Sequence, residues 1–336
     1  MMKMYKILFF NSLIFGTLIT ISSYSWFSAW IGLEINLLSF IPLLKNHLNK
    51  FPSEATLKYF IVQVMASSFL LFSLIIFFTL NNYTEEFKIM ESILTSSPLL
   101  MKMGAAPFHF WLPEVMNGLN WNNSFILLTW QKIGPMILIS YQIKSSMFFS
   151  IIIILSSLLS GIQGLNQTCM RKIMAYSSIN HIGWMLSAML NSMYTWVYYF
   201  IVYCLINLNI VLIMKKYNIF FISQLTNILT FKKKIKFLFM LNFLSLGGLP
   251  PFLGFLPKWM TINNMVENNS YLLSSILIIS TLISLYFYMR ITFSSFTINS
   301  EETLIMQFNK LSYLYFMINM LSLTGLILCS LIDSSM

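Results

Sequence analysis

Apolar residues run along this chain in long unbroken stretches, separated by short polar or basic segments. The stretches show no period-two alternation, so they read as helices rather than strands. A helix that crosses a bilayer needs about 20 mainly apolar residues. By that measure about eleven segments qualify, near residues 4–22, 25–44, 57–80, 90–112, 122–143, 147–163, 171–190, 194–214, 237–262, 271–295 and 312–332. The segment at 90–112 is the least apolar. The first one follows Lys3 and Lys6 and has the flank of a secretory signal. No small-residue cleavage site follows it and the next segment is equally apolar, so it reads as a first span. An Arg-rich, Ser-rich transit peptide is not seen.

Composition agrees with that pattern. Of 336 residues, 57% are hydrophobic and 9% are charged, whereas a soluble domain carries about 25% charged residues. Such a chain cannot cover itself with polar surface, and lipid solvates what water would not. The fold class expected is therefore an all-α polytopic membrane protein. With eleven spans, the N-terminus and every second loop share one side of the membrane. That side receives 15 of the 20 basic residues, among them Lys45, Arg171, Lys215, Lys216 and Lys232 to Lys236, while the other receives Lys88 and Lys144. This asymmetry is the positive-inside pattern and puts the N-terminus in the matrix or cytoplasm, with the C-terminus across the membrane. The net charge of +10 is mostly that signal plus headgroup contact, not a nucleic-acid footprint. Cys169, Cys204 and Cys329 form no CxxC pair, and neither a GxGxxG nor a P-loop sequence is present. Metal and nucleotide chemistry are not indicated.

The remaining basic residues, Lys102, Lys132 and Lys258, lie inside apolar segments, as does Glu34. A charge at mid-bilayer costs about 2.5–3.5 kcal/mol even on lenient scales. One Glu–Lys pair would serve as helix–helix glue, but two lysines would then lack an acidic partner in the membrane. Ion or proton handling accounts for all four. Lysine and glutamate can exchange a proton when a neighbour moves, which arginine cannot. Glu34 and Lys102 are expected to face each other across adjacent helices, within direct or one-water reach.

Two segments are interrupted by Gly and Pro: GAAPFHFWLPEV, with Gly104 and Pro107, and GGLPPFLGFLPKW, with Gly247, Gly248, Pro250 and Pro251. Such residues free backbone groups inside the membrane. They fall five segments apart, which divides the chain into halves at 1–145 and 146–296, the second inverted, with 297–336 as a final loop and helix. Matching interrupted segments are the sequence mark of an inverted-repeat transporter. A break near Gly248–Pro251 would bring Lys258, late in its segment, back toward the centre. His109 and His181 lie within segments, and His181 follows Tyr176, Ser177 and Ser178, so these five are candidate relay residues as well as candidate packing residues. His47 lies in a basic loop and reads as solvated. Trp26, Trp30 and Trp111 read as interfacial anchors.

The segments WIGLEINLLSFIPLL, KMGAAPFHFWLPEV, WQKIGPM, GLNQTCMRKIMAYSSINHIGWM and FLSLGGLPPFLGFLPKWM resemble the NADH dehydrogenase (ubiquinone) subunit 2 family of mitochondrial respiratory complex I. The wording is closest to animal, insect-like members, and the resemblance runs from about residue 14 to 295. It implies an antiporter-like, proton-translocating subunit of the inner-membrane arm, a part of NADH:ubiquinone reductase with no redox chemistry of its own. FMN, iron–sulfur clusters and ubiquinone are then expected in other subunits, and no cofactor or metal on this chain. It also implies a path through Glu34 with Lys102, then Lys132, then Lys258, and the loss of three N-terminal spans that bacterial relatives carry. Neighbouring membrane-arm subunits and phospholipids such as cardiolipin are the implied partners. Two alternatives share the same helical core: a subunit of a cation/proton antiporter complex, and a structural spacer that no longer pumps. The lysines at 232–236 depart most from the family pattern and have no assigned role.

Overall fold

The structure, a computed structural model, describes residues 4–45, 50–79, 85–143, 146–228, 233–297 and 319–320. Those residues form helices and turns, with one isolated antiparallel bridge between Cys169 and Phe221. Continuous apolar runs can satisfy their backbone groups in lipid only within the helix itself, and that fixes the secondary structure.

Two compact units divide the chain, Met1–Ile152 and Ile153–Met336. The first contains α1 (Met4–Ser22), α2 (Trp26–Leu44), α3 (Lys50–Thr79), α4 (Glu85–Met103), α5 (Trp111–Gly118), α6 (Trp121–Leu128) and α7 (Trp130–Ser140). Ser25 opens α2 with a reciprocal capping box to Ser28, which satisfies donors that would otherwise be orphaned at the helix start. Small residues set the closest approach. A Cβ on Gly16 would lie 2.9 Å from the Asn36 nitrogen, and one on Gly32 would lie 2.8 Å from the Thr20 nitrogen, so α1 and α2 touch backbone to backbone. Helix α3 packs on α2, α4 and α5, and α7 packs on α1, α4 and α6.

Helix α8 (Ser146–Leu165) carries the boundary between the units. The second unit is built around α9 (Met170–Asn191), of whose 22 residues 17 are buried. Around it stand α10 (Met193–Tyr217), α13 (Phe255–Glu267) and α14 (Tyr271–Thr297). Helix α12 (Lys233–Gly247) packs on α10 and α14, and the short α11 (Ile222–Ile228) on α14. Asn180 donates to Ser284 Oγ at 2.9 Å, tying α9 to α14 through a bond that no apolar contact could orient.

Among the described residues, six helices are long and apolar enough to cross a membrane: α1, α2, α3, α8, α10 and α14. Of the eleven spans expected, four more fall on α4, α6 with α7, α9, and α12 with α13, which are broken or polar. The span expected at 312–332 lies outside the described residues apart from Asn319 and Met320, as do His47, Lys144 and Lys232. The segment expected as one helix at 122–143 is two. Thr129 turns its hydroxyl back onto the Phe125 carbonyl at 2.7 Å and leaves helical geometry at φ −115°, ψ −71°. Back-bonding of this kind bends helices, and the kink stands three residues before Lys132.

Candidate functional site

The three buried lysines each stand beside a local irregularity. Helix α4 ends where Gly104 takes φ +76°, a conformation that a side chain strains. Residues 104–110 then run without helix to α5, through a cis Ala106–Pro107 bond. The Met101 carbonyl in the last turn of α4 accepts the Gly104 N–H at 3.2 Å and also the Trp111 indole N–H at 3.1 Å. Trp111 is therefore buried as a cap for α4, and not the interfacial anchor expected from sequence: its N–H is spent on a backbone acceptor at the helix end. Lys102 stands in the last turn of α4, just ahead of this break.

Around Lys102 the first unit gathers amides. Gln63 of α3 donates to the Lys102 carbonyl at 3.2 Å, and Gln131 of α7 donates to Asn36 Oδ1 of α2 at 2.9 Å. These residues, with Tyr59, Leu33, Leu37 and Pro135, line a cavity of about 10 Å³ against Lys102, about the room one water needs. Glu34 is half-buried on α2, and its Oε1 is buried without a hydrogen bond. Among the described residues the ion pair within direct reach is Lys58 with Glu114, at 2.5 Å on the exterior, so of the direct or one-water contact expected between Glu34 and Lys102 the direct form is not the one seen. Lys132, on α7 beyond the Thr129 kink, is among the largest fully buried side chains. His109 is buried within the break and stacks on Phe110, with ring centroids 4.4 Å apart.

The second unit repeats the break and changes its contents. Helix α12 ends at Gly247, Gly248 again takes φ +76°, and residues 248–254 run to α13. Lys258, on the first turn of α13, folds back to donate to the carbonyls of Gly247 at 2.9 Å and Leu246 at 3.3 Å. The C-terminal end of a helix carries partial negative charge and suits an ammonium. The Trp184 ring of α9 stands on another side of it, with Nζ 5.7 Å from the ring centroid. The break thus returns Lys258 to the interruption itself. Gly254 escaped the sequence reading. A Cβ there would come within 1.8 Å of the Ser245 carbonyl oxygen, so α13 starts in contact with the end of α12. Its signal was one more glycine in a motif already rich in them.

His181 shares a hydrogen bond of 2.9 Å between Nδ1 and the Tyr199 hydroxyl, and packs against Tyr203. Asn207 Nδ2 donates to the Tyr203 carbonyl at 3.0 Å. Ser177 and Ser178 also turn their hydroxyls onto their own helix, to the Met174 and Ala175 carbonyls. Tyr176 is half-buried near Gly164. The relay candidates of α9 thus join the aromatic face of α10. Among the described residues, no three His, Cys, Asp or Glu are grouped as metal ligands.

Residues 23–284 match the sequence profile of the family described as NADH:quinone oxidoreductase/Mrp antiporter, transmembrane. NADH-ubiquinone oxidoreductase chain 2 of Anopheles gambiae is 50% identical, over 99% of both chains. That of Locusta migratoria is 46% identical, over 97% of this chain and 96% of its own. Among solved structures, a chain of respiratory complex I from Thermus thermophilus with bound aureothin superposes with a TM-score of 0.85 at 20% identity, covering 98% of this chain and 78% of that one. A chain of the Mrp complex from Dietzia superposes at 0.75 with 15% identity, over 84% and 59%. At such identities the superpositions establish the fold.

Proposed function

The chain belongs to the NADH-ubiquinone oxidoreductase chain 2 family of antiporter-like membrane proteins, and on that premise we propose that Glu34, Lys102, Lys132 and Lys258 carry its protons. It is a proton-pumping, antiporter-like subunit of NADH:ubiquinone oxidoreductase, multi-pass in the mitochondrial membrane, with other membrane-arm subunits as its partners. NADH oxidation and quinone reduction belong to other subunits, with their FMN and iron–sulfur clusters. The basic loops face the matrix in this reading, the two five-helix halves are inverted repeats, and phospholipids such as cardiolipin fill gaps at the periphery.

One observation carries the proposal. Lys102, Lys132 and Lys258 are each between 1% and 7% exposed inside an apolar bundle. A bundle that needed only glue would not hold three such lysines. Lys258 is held by backbone carbonyls at its break, Lys102 borders an amide-lined cavity beside the other break, and Lys132 follows the Thr129 kink. In this path Lys102 exchanges charge with Glu34 across the amide-lined cavity, Lys132 is the central carrier, and Lys258 is the terminal one. The relay residues His181, Tyr199 and Tyr203 supply hydroxyl and imidazole groups near the Trp184 side of Lys258's helix bundle.

The test is Lys132→Met, which keeps the length of the stem and removes the titrating ammonium. Assembled complexes reconstituted in liposomes should pump fewer protons per NADH by about tenfold or more, with NADH oxidation slowed. Full pumping and turnover would leave Lys132 as a structural charge outside the path.

A further inference from the structure

We propose that the outward face of α1 is a docking seam for a transmembrane helix of another subunit, and that Asn11 at its middle bonds a polar side chain on that helix. The proposal rests on the reading of the chain as a membrane-arm subunit and adds the surface and the chemistry of one partner.

Helix α1 buries one face and presents the other. Leu13, Gly16, Thr17 and Thr20 are buried, with Gly16 against α2 and Thr20 against Gly32 of α2 and Gly134 of α7. The crest of the opposite face runs Met4, Leu8, Asn11, Phe15, Leu18 and Ser22, all exposed. The spacing alternates four and three residues, the 3.5-residue repeat of a helix–helix seam. The four apolar members are between 54% and 85% exposed, while Ile7, Phe10, Ile19 and Ile21 beside them are less so.

An apolar crest alone would suit lipid. Asn11 does not. In a 19-residue helix it stands two positions from the middle residue, Leu13, about 3 Å along the axis. Its amide offers two donors and an acceptor with two lone pairs, which acyl chains cannot meet. The side chain is too short to reach the interface, as lysine or arginine would. Other exposed polar groups on these spans have a local solution: Ser68, Ser97 and Thr281 bond the carbonyls of Met65, Leu94 and Ile278. Asn207 and Asn242 bond carbonyls four residues back on their own helices. Asn11 makes neither kind of bond among the described residues. The chain's own C-terminal part, where described, is held at α12, because Asn319 accepts from Asn242. The occupant that answers Asn11 is a helix with an amide, hydroxyl or imidazole side chain at the matching level, and apolar or small residues against Leu8, Phe15 and Leu18. A single polar residue within such a seam also fixes register and partner.

The test uses the native complex in inner-membrane vesicles. A lipid-soluble aryl diazirine should leave the crest from Leu8 to Leu18 unlabelled in the intact complex and label it after the subunits are separated in detergent. Equal labelling in both overturns the proposal. Asn11→Leu gives opposite signs for the two environments. Against lipid, removing an amide leaves association unchanged or stronger. Against a partner helix, retention of the chain in the complex on native gels should fall about threefold to tenfold, with partial recovery in Asn11→Gln. Cross-linking of the crest to a second copy of this chain would also overturn it. The same gels show whether the wild-type chain migrates with flavin-containing subunits. If it does not, the membrane-arm reading fails independently of whether the crest is protected.

Discussion

At the first break, residues 104–110, the Met101 carbonyl, which also accepts the Gly104 N–H, is capped by the neutral indole of Trp111. At the second, residues 248–254, the freed carbonyls of Leu246 and Gly247 are taken by the ammonium of Lys258. Both breaks have the same length and open on a glycine at the same φ of +76°. The lysine precedes the break in one and follows it in the other. That reversal changes what holds the charge. Lys102 borders side chains: the amides of Asn36, Gln63 and Gln131 line the cavity against it. Lys258 answers to backbone and to one ring, that of Trp184. A shared backbone device can therefore serve two lysines whose surroundings respond to different substitutions.

The sharpest way to break this comparison is at the two glycines. An alanine methyl at 248 would lie 2.8 Å from Lys258 Cδ and 3.0 Å from its Nζ, whereas one at 104 would meet Leu112 Cδ1 at 2.8 Å and touch no lysine. Both variants take on backbone strain of about 1–3 kcal/mol. Gly248→Ala should also displace the ammonium and lower protons pumped per NADH by about tenfold, on the scale of losing a positioned proton-transfer group. Complexes of Gly104→Ala that assemble should pump nearly normally. Equal pumping losses, measured in liposomes and normalised to assembled complex, would show that the second lysine has no special dependence on its break.

A smaller effect belongs to the amides of the first half. Asn36→Leu or Gln131→Leu alone leaves its partner unsatisfied, at about 1–3 kcal/mol. The double variant should be less destabilised than the sum, because neither amide is then stranded. Thermal melting of the purified complex reads this, and strict additivity would show that the 2.9 Å bond does not link α2 to α7 in solution.

How far these features could be read from sequence follows from where their causes lie. Apolar run length is a property of contiguous residues, so the helical membrane class was plain. The breaks were plain as well, because Gly and Pro act on their own backbone. The kink at Thr129 was not, since it depends on a hydroxyl choosing the Phe125 carbonyl over other partners. Lys102 and Glu34 were paired by sequence on charge alone. How near they come depends on how α2 and α4 pack, and the cavity residues Asn36, Gln63 and Gln131 come from three different helices. Lys258 was placed near its break by an argument about helical rise, but its carbonyl ligands and Trp184 needed three dimensions.

The smallest expected effect lies outside both breaks. Lys58 and Glu114 are about half exposed, and solvent screens such a pair to a small contribution. Lys58→Met should shift melting slightly, less so in high salt, and leave pumping unchanged. A loss of pumping comparable to that of the buried lysines would erase the distinction drawn here between surface and interior charge.

Helix α9 is long enough to cross the membrane, yet it is not among the six that are apolar enough to do so alone. It carries Ser177, Ser178, Asn180, His181 and Ser187 in its buried face. Its residence in the bilayer is therefore a property of company and not of its own partitioning. During synthesis the ribosome delivers α8 before it and α10 after it, both apolar. A helix of this kind commits to the membrane only as its neighbours arrive, so the place of this polar helix depends on the order in which the chain is made.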